Sequence, residues 1–174
     1  MLTNTFIHIP YVSETTEKKL WKNNINSWDD FLEKKPKVRN NKVITKFLKL
    51  SKQQYEEKNH YFFSNRLLSR HQWRGYKDFQ DRCCFLDIET TGLSKDSELT
   101  VVGLYDGKES KVFVNGKNLD KFPKEMKKYS YIVTYNGAVF DIPFLKFKFP
   151  DIEFDQMHAD LRFILRRLGY SGGL

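Results

Sequence analysis

The second half of the chain alternates short apolar runs with turn signals, which is the pattern of a sheet. Its apolar runs are rich in β-branched and aromatic residues and are separated by turn dipeptides or by stretches with helical spacing. They predict strands over 83–88, 99–105, 111–114, 131–134 and 153–158. Helices are predicted over 119–128, from about Ile142 onwards, and after a cap at Asp160. Three meandering strands, a helical crossover and a further strand predict an α/β fold with a mixed sheet.

The first eighty residues have helical spacing instead. Ser13 is placed to cap one short helix, and Ser27, with Asp30 three residues later, is placed to cap a second. The longer helix that follows has apolar residues at helical spacing, at Ile44, Phe47, Leu48 and Tyr55. We therefore expect a small α-helical region over 1–80, followed by an α/β domain over 81–174.

A last helix of this region is predicted over 64–79. It would place four basic residues on one continuous stripe, at Arg66, Arg70, Arg74 and Lys77. Neighbouring aromatic residues, Trp73 among them, would anchor the helix. One interpretation is that the stripe takes up the phosphates of a nucleic-acid strand, and the other is a solvated helix face. Both interpretations are open on charge alone.

Composition indicates a globular chain with a basic first half. Of its 174 residues 40% are hydrophobic and the formal net charge is +8. Residues 1–80 hold sixteen Lys and Arg against eight Asp and Glu, whereas residues 81–174 hold fourteen of each. A basic region beside a neutral one that carries acidic residues is expected of a protein that holds a polyanion.

The chain lacks the patterns of secretion, membrane insertion or zinc binding. Residues 1–12 have no basic start before an apolar run, and no stretch approaches eighteen apolar residues, so we expect a cytoplasmic protein without a membrane span. The cysteines, Cys83 and Cys84, are neighbours in a predicted strand, where disulfide geometry is unfavourable. With four scattered histidines they do not form a zinc pattern either.

The chemistry of the chain centres on the first predicted strand. Asp87 and Glu89 are two residues apart, so their side chains point to the same face. Two carboxylates this close repel each other unless a cation lies between them, which favours a divalent metal. Thr90, Thr91 and Gly92 then end the strand with hydroxyl groups and a permissive backbone. Taken alone, a D-x-E pattern is more often a strand with a solvated acid.

A second stretch changes that balance. The sequence D-I-E-T-T-G-L at 87–93 is followed by Y-N-G-A-V-F-D-I-P-F-L at 135–145. Together they resemble the first and second motifs of the DEDD (DnaQ-like) 3′-5′ exonucleases, which have the ribonuclease-H-like fold. The pattern looks most like the YprB-type branch, and its second motif also resembles that of family B polymerase proofreading domains.

The resemblance implies a metal-dependent nuclease that cleaves the terminal phosphodiester with two Mg²⁺ or Mn²⁺ ions. It implies that Asp87 bridges both ions, that Glu89 binds one and orients the attacking water, and that Asp141 holds the second. The same resemblance assigns substrate contacts to four further residues, Thr90, Leu93, Asn136 and Phe140. The expected partner is nucleic acid, DNA or RNA, with a single-stranded end as the favoured form.

One part of the family pattern has no counterpart. The third motif is a His or Tyr base about one helical turn before a fourth Asp, whereas His158 and Asp160 are two residues apart at a predicted strand end. We interpret Asp160 as a helix cap and expect the missing motif beyond Leu174, or on a partner protein. Two hypotheses follow: an exonuclease domain with genuine metal ligands, or a catalytically inactive nucleic-acid-binding protein.

Overall fold

The computed structural model describes residues 1–170 and 172 of the chain. Its centre is a five-stranded mixed sheet with the order β3-β2-β1-β4-β5. The strands are β1 (Cys83–Thr90), β2 (Leu99–Tyr105), β3 (Ser110–Val114), β4 (Tyr131–Thr134) and β5 (Met157–Asp160). β1, β2 and β3 pair antiparallel, and β4 and β5 add in parallel beside β1. This is the meander, crossover and parallel pair predicted from the sequence, and the α/β ribonuclease-H-like fold is confirmed.

Eight α-helices lie around this sheet in the described part of the chain. Five precede it: α1 (Glu14–Lys22), α2 (Trp28–Lys34), α3 (Asn41–Glu56), α4 (His60–Ser64) and α5 (Tyr76–Phe79). Three are interspersed with or follow the last strands: α6 (Phe122–Met126), α7 (Asp141–Lys148) and α8 (Leu161–Arg167). Short 3-10 helices connect some of them, notably Ser69–Gly75. The predicted caps at Ser13 and Ser27 are present, the latter as a capping box with Asp30.

One face of the sheet packs against the helices of the second half. Cys84, Leu86 and Ile88 alternate along β1 on this face and are buried against α6 and α7. Phe122 and Leu145 are fully buried among them. One side of β1 is therefore consistently apolar and buried, whereas the side chains on its other side are largely exposed after Cys83.

The opposite face is covered only in part, by the first eighty residues. Helices α1 to α4 and the chain before them share one buried core with Cys83, Tyr131 and Met157. Polar contacts of a buried side chain hold segments of this region together. The Glu17 carboxylate accepts from the Phe6 backbone N–H at 2.6 Å and pairs with Arg74 at 2.7 Å. The boundary at residue 80 between two regions stays a prediction.

The prediction of one continuous helix over 64–79 is wrong. That segment consists of the end of α4, a turn, the 3-10 helix Ser69–Gly75 and the short helix α5. Gly75 packs where an added Cβ would lie 2.6 Å from a side-chain carbon of Met157, so the segment lies tightly on β5. Packing against the sheet overrides helical spacing here. The fifth strand also begins later than predicted, at Met157.

In the part of the chain that the structure describes, no helix combines the length and the apolar character needed to span a membrane.

Candidate active site

The two acids of β1 project from the uncovered part of the sheet. Asp87 and Glu89 are exposed on the same face, as predicted from their spacing. Gly103 of β2 lies directly opposite Asp87 in the antiparallel register, so no side chain covers the carboxylate from that strand. The register shifts between Glu89 and Thr90, and such a bulge re-aims the end of a strand. The exposed end of β1 is thus open to a ligand.

Asp141 reaches the same place from the start of α7. The pairing of β1 with β4 ends at Phe85, which leaves the next part of that edge without a strand partner. Asp141 Oδ1 fills the gap by accepting from the Ile88 backbone N–H at 3.2 Å. Its side chain is buried, and burial together with the neighbouring Asp87 carboxylate raises the pKa of Asp141 to about 6.

The turn between β4 and α7 is held by a third acid, Asp160, at the end of β5. Its two carboxylate oxygens accept from the backbone N–H groups of Asn136 and Ala138, both at 2.9 Å. Asp160 Oδ1 also accepts from the Arg162 N–H at 3.0 Å and so caps α8, as interpreted from the sequence. Glycine is required at position 137, between Asn136 and Ala138, because an added Cβ would lie 2.6 Å from the Thr134 side chain.

These elements enclose a cavity of about 280 Å³, which we call the acidic cavity. It is lined by Asp87, Ile88, Tyr135, Asn136, Phe140, Asp141 and Arg162. Four of the predicted site residues, Asp87, Asn136, Phe140 and Asp141, therefore meet in one place. Asn136 has a positive φ of 66°, a conformation that Asn tolerates better than most residues, and its backbone N–H is held by Asp160.

Arg162 was not identified from the sequence. Its Nη1 donates to Asn136 Oδ1 at 2.6 Å, and among residues 1–170 and 172 it has no ion-pair partner within 4.0 Å. A cationic side chain in the first turn of a helix is disfavoured by the helix dipole. An arginine in the first turn of the helix predicted after Asp160 was therefore the sequence signal that could have identified Arg162 as a site residue.

The carboxylate pair of the acidic cavity has the chemistry of a hard divalent cation site. Asp87 and Asp141 supply oxygen donors, and their mutual repulsion is the charge that a cation would neutralise. Glu89 lies on the same strand face but does not line the cavity. Within the described residues, no three His, Cys, Asp or Glu side chains form a compact metal-binding group.

The predicted contacts after Glu89 lie at the rim of the site. The Thr90 hydroxyl donates to the Gly92 carbonyl at 2.7 Å and so shapes the turn that follows the strand. Leu93 is 86% exposed and does not line the acidic cavity. Their contact with a terminal nucleotide stays a prediction.

The predicted basic stripe on one helix does not form. Arg70 pairs with Glu14 at 2.8 Å, and Arg74 pairs with the buried Glu17. Arg66 lies over the Phe62 ring, with 4.0 Å from its guanidinium carbon to the ring centroid, whereas Lys77 is exposed on α5. Without a helix over 64–79 the regular spacing that would align these four side chains is absent. Their role as substrate contacts stays a prediction, and Arg74 serves the internal packing.

His158 also lies outside the acidic cavity. Its Nε2 is hydrogen-bonded to Thr134 Oγ1 at 2.8 Å, and burial lowers the pKa of its ring. It lines a neighbouring cavity instead. This position agrees with the interpretation that His158 does not replace the family's missing base.

The strand order β3-β2-β1-β4-β5 is that of the ribonuclease-H-like fold. Residues 84–174, more than half of the chain, match the RNase_H_2 family of the RNase_H superfamily. The protein therefore belongs to the RNase H superfamily, whereas the YprB-type branch stays a prediction.

Two further comparisons complete the picture. No curated protein matches the chain. Among solved structures, it is similar to a family B DNA polymerase from the hyperthermophilic archaeon Pyrobaculum calidifontis, with 18% identity and a TM-score of 0.40. The likeness covers 48% of this chain and 16% of the polymerase chain.

Proposed function

We propose that the protein is a metal-dependent 3′-5′ exonuclease that hydrolyses terminal phosphodiester bonds of nucleic acid. The observation that carries the proposal is the acidic cavity, which Asp87 and Asp141 line together with Arg162, an arginine without an ion-pair partner among the described residues. A carboxylate pair binds a divalent cation, and a guanidinium binds a phosphate. Together the two kinds of group can hold a phosphodiester against a metal ion. The 3′-5′ direction rests on the motif resemblance.

The residues of the chain divide the work between them. Asp87 and Asp141 would hold Mg²⁺ or Mn²⁺, and Glu89, on the same face of β1, would take part from the open side. When bound, two such ions activate water and stabilise the leaving oxygen. Arg162 would hold a non-bridging phosphate oxygen, with Asn136 setting the position of its guanidinium.

Phe140 and Asn136 would fix the substrate strand. The Phe140 ring packs on Phe144, with centroids 5.7 Å apart, while it lines the acidic cavity. A ring that is braced from behind presents a rigid apolar wall to a sugar or a base. Asn136 is braced by two hydrogen bonds, one through its backbone N–H and one through its side chain.

One observation favours a second function. Because Glu89 does not join Asp87 and Asp141 in the cavity, the described residues lack a compact group of three acids. The alternative is therefore a catalytically inactive protein that binds nucleic acid with the same surface.

Digestion of end-labelled single-stranded DNA and RNA with Mn²⁺ separates the two functions. We expect stepwise shortening by the wild type and a loss of at least about a hundredfold in rate for Asp87→Asn, because a metal ligand is removed. Asp120→Asn changes an exposed acid far from the cavity and serves as the matched control. Binding without shortening by the wild type would favour the inactive alternative.

A further inference from the structure

A second cavity, also of about 280 Å³, lies beside the acidic cavity. We call it the tryptophan cleft; the lining residues that matter here are Arg70, Trp73, Val139, His158, Phe163 and Arg167. Two segments of the chain contribute residues to both cavities. The turn after β4 gives Asn136 to the acidic cavity and Val139 to the cleft, and α8 gives Arg162 to the first and Phe163 to the second.

We propose that the tryptophan cleft binds an unpaired base of a single-stranded nucleic acid whose end lies in the acidic cavity. The inference rests on the proposed function for its choice of ligand, and it adds a binding site to which the first half of the chain contributes Arg70 and Trp73. It also selects the form of the substrate, because a base inside the cleft cannot be paired.

The aromatic side chains of the cleft are partly exposed within one concave surface. Trp73 is 47% exposed and Phe163 is 39% exposed. Such rings in one concave surface mark a binding site, and stacking on aromatic rings is the usual way in which proteins hold unpaired bases. Trp28, in contrast, is 1% exposed and donates its Nε1–H to the Thr5 carbonyl at 2.8 Å. The chain thus buries one tryptophan fully and presents another.

Trp73 is held in its exposed position by the packing behind it. The guanidinium of Arg74 lies 5.9 Å from the Trp73 ring centroid and pairs with the buried Glu17. The 3-10 helix Ser69–Gly75 that carries Trp73 is fixed to β5, since Gln72 Oε1 accepts from the His158 backbone N–H at 2.8 Å. A fixed ring loses little conformational freedom when a base stacks on it.

The charge of the cleft suits a polyanion. Arg167 Nη1 donates to the Arg70 backbone carbonyl at 2.6 Å, and within the described residues Arg167 has no ion-pair partner. Its remaining N–H groups are available for a phosphate. Asp160 also lines the cleft, but its oxygens accept from three backbone N–H groups, so its charge is largely compensated.

The test measures binding without cleavage. A 5′-labelled single-stranded oligonucleotide of mixed sequence is titrated in EDTA, with fluorescence anisotropy for affinity and quenching of tryptophan emission for stacking. We expect Trp73→Ala and Phe163→Ala each to weaken binding at least about fivefold, since one base on one ring is worth about 1–3 kcal/mol. We expect the quenching to be lost in Trp73→Phe, and a blunt duplex to bind more weakly than the single strand.

Tyr61→Ala removes a ring that is 54% exposed on α4 and lines neither cavity, so its affinity should equal that of the wild type. Circular dichroism and thermal unfolding verify that each variant is folded. Unchanged affinity for both Trp73→Ala and Phe163→Ala would overturn the proposal. So would a change in self-association, measured by sedimentation, in place of a change in oligonucleotide binding, because the cleft would then be a protein contact.

The nuclease assay keeps this inference separate from the proposed function. Weaker binding of the cleft variants, with no Asp87-dependent cleavage by the wild type, would support the cleft and refute the nuclease. Asp87-dependent cleavage with unchanged binding by the cleft variants would refute the cleft and support the nuclease.

Discussion

Asp141 and Asp160 occupy similar places in the fold but have opposite electrostatic environments. Asp141 is the first residue of α7, after β4, and Asp160 is the last residue of β5 and the cap of α8; both are buried. Asp160 accepts from three backbone N–H groups. Asp141 accepts from the Ile88 N–H and faces the Asp87 carboxylate, so burial and that repulsion raise its pKa to about 6.

The difference shows how the fold separates structure from chemistry. A carboxylate that is surrounded by N–H donors is stable as an anion and fixes the chain around it. A carboxylate that is buried beside another is unstable as an anion until a proton or a cation arrives. The first acid positions the turn of Asn136, and the second would hold a metal ion in the function proposed above.

The largest effect is expected from Asp160→Ala. Three partly buried backbone N–H groups lose their acceptor, and a lost hydrogen bond of this kind costs about 1 kcal/mol each. We expect a loss of about 3 kcal/mol in the free energy of unfolding, measured by urea denaturation. Asp151→Ala, at an exposed acid without a side-chain hydrogen bond in the described part of the chain, should change it by less than about 0.5 kcal/mol. Equal values for the two variants would contradict the structural role of Asp160.

The opposite sign is expected from Asp141→Asn in EDTA. The folded-state pKa of about 6 lies above the ordinary value of 3.8, so the folded protein retains a proton that the unfolded chain has lost. The wild type therefore loses stability as the pH rises from about 4 to about 6, and above that the loss is constant. Asn carries no charge, so at pH 8 the variant should be about 2–3 kcal/mol more stable than the wild type.

The pH dependence makes this prediction specific. At pH 3.5 the Asp141 carboxyl is mostly protonated in both states, so the advantage of Asn should nearly vanish. Asp87→Asn removes the neighbouring charge and should recover part of the gain at pH 8. A stabilisation by Asp141→Asn that is the same at pH 3.5 and pH 8 would show that repulsion is not its cause. Chemical denaturation over this pH range provides the measurement.

The sheet and its first two motifs were predictable from the sequence because they depend on local signals. β-branched runs, turn dipeptides and caps define β1 to β4 within about two residues, and the period of two places Asp87 and Glu89 on one face. The meeting of Asp87 with Asp141 was inferred from the resemblance, not from spacing. The structure places both in one cavity.

The remainder depends on contacts between distant segments. The segment 64–79 has helical spacing, yet it packs on β5 in short 3-10 and α turns, and its arginines meet Glu14 and Glu17 more than fifty residues away. Arg162 acquires its place only because Asp160 joins the end of β5 to the turn of Asn136. No pattern within a short window encodes such pairs.

The smallest effect is expected from Arg162→Ala, and it tests whether the two parts of this residue have different roles. Its backbone N–H caps with Asp160, and the substitution keeps that bond, so the free energy of unfolding should change by less than about 0.5 kcal/mol. Its guanidinium in the acidic cavity would be lost. Binding of a single-stranded oligonucleotide in EDTA should weaken about five- to tenfold, and the slope of log affinity against log salt should fall by about 1.

Arg166→Ala is the matched control, because it removes the same charge from the same helix but from outside both cavities. If the two variants bind equally well, the effect of Arg162 is one of net charge alone. If only Arg162→Ala weakens binding while stability holds, the N–H that completes the Asp160 clamp and the side chain that meets the substrate are separable. Asp160 at the end of β5 would then have two effects. It fixes the turn of Asn136, and through the Arg162 N–H it also sets the position of the Arg162 guanidinium in the cavity that Asp141 lines.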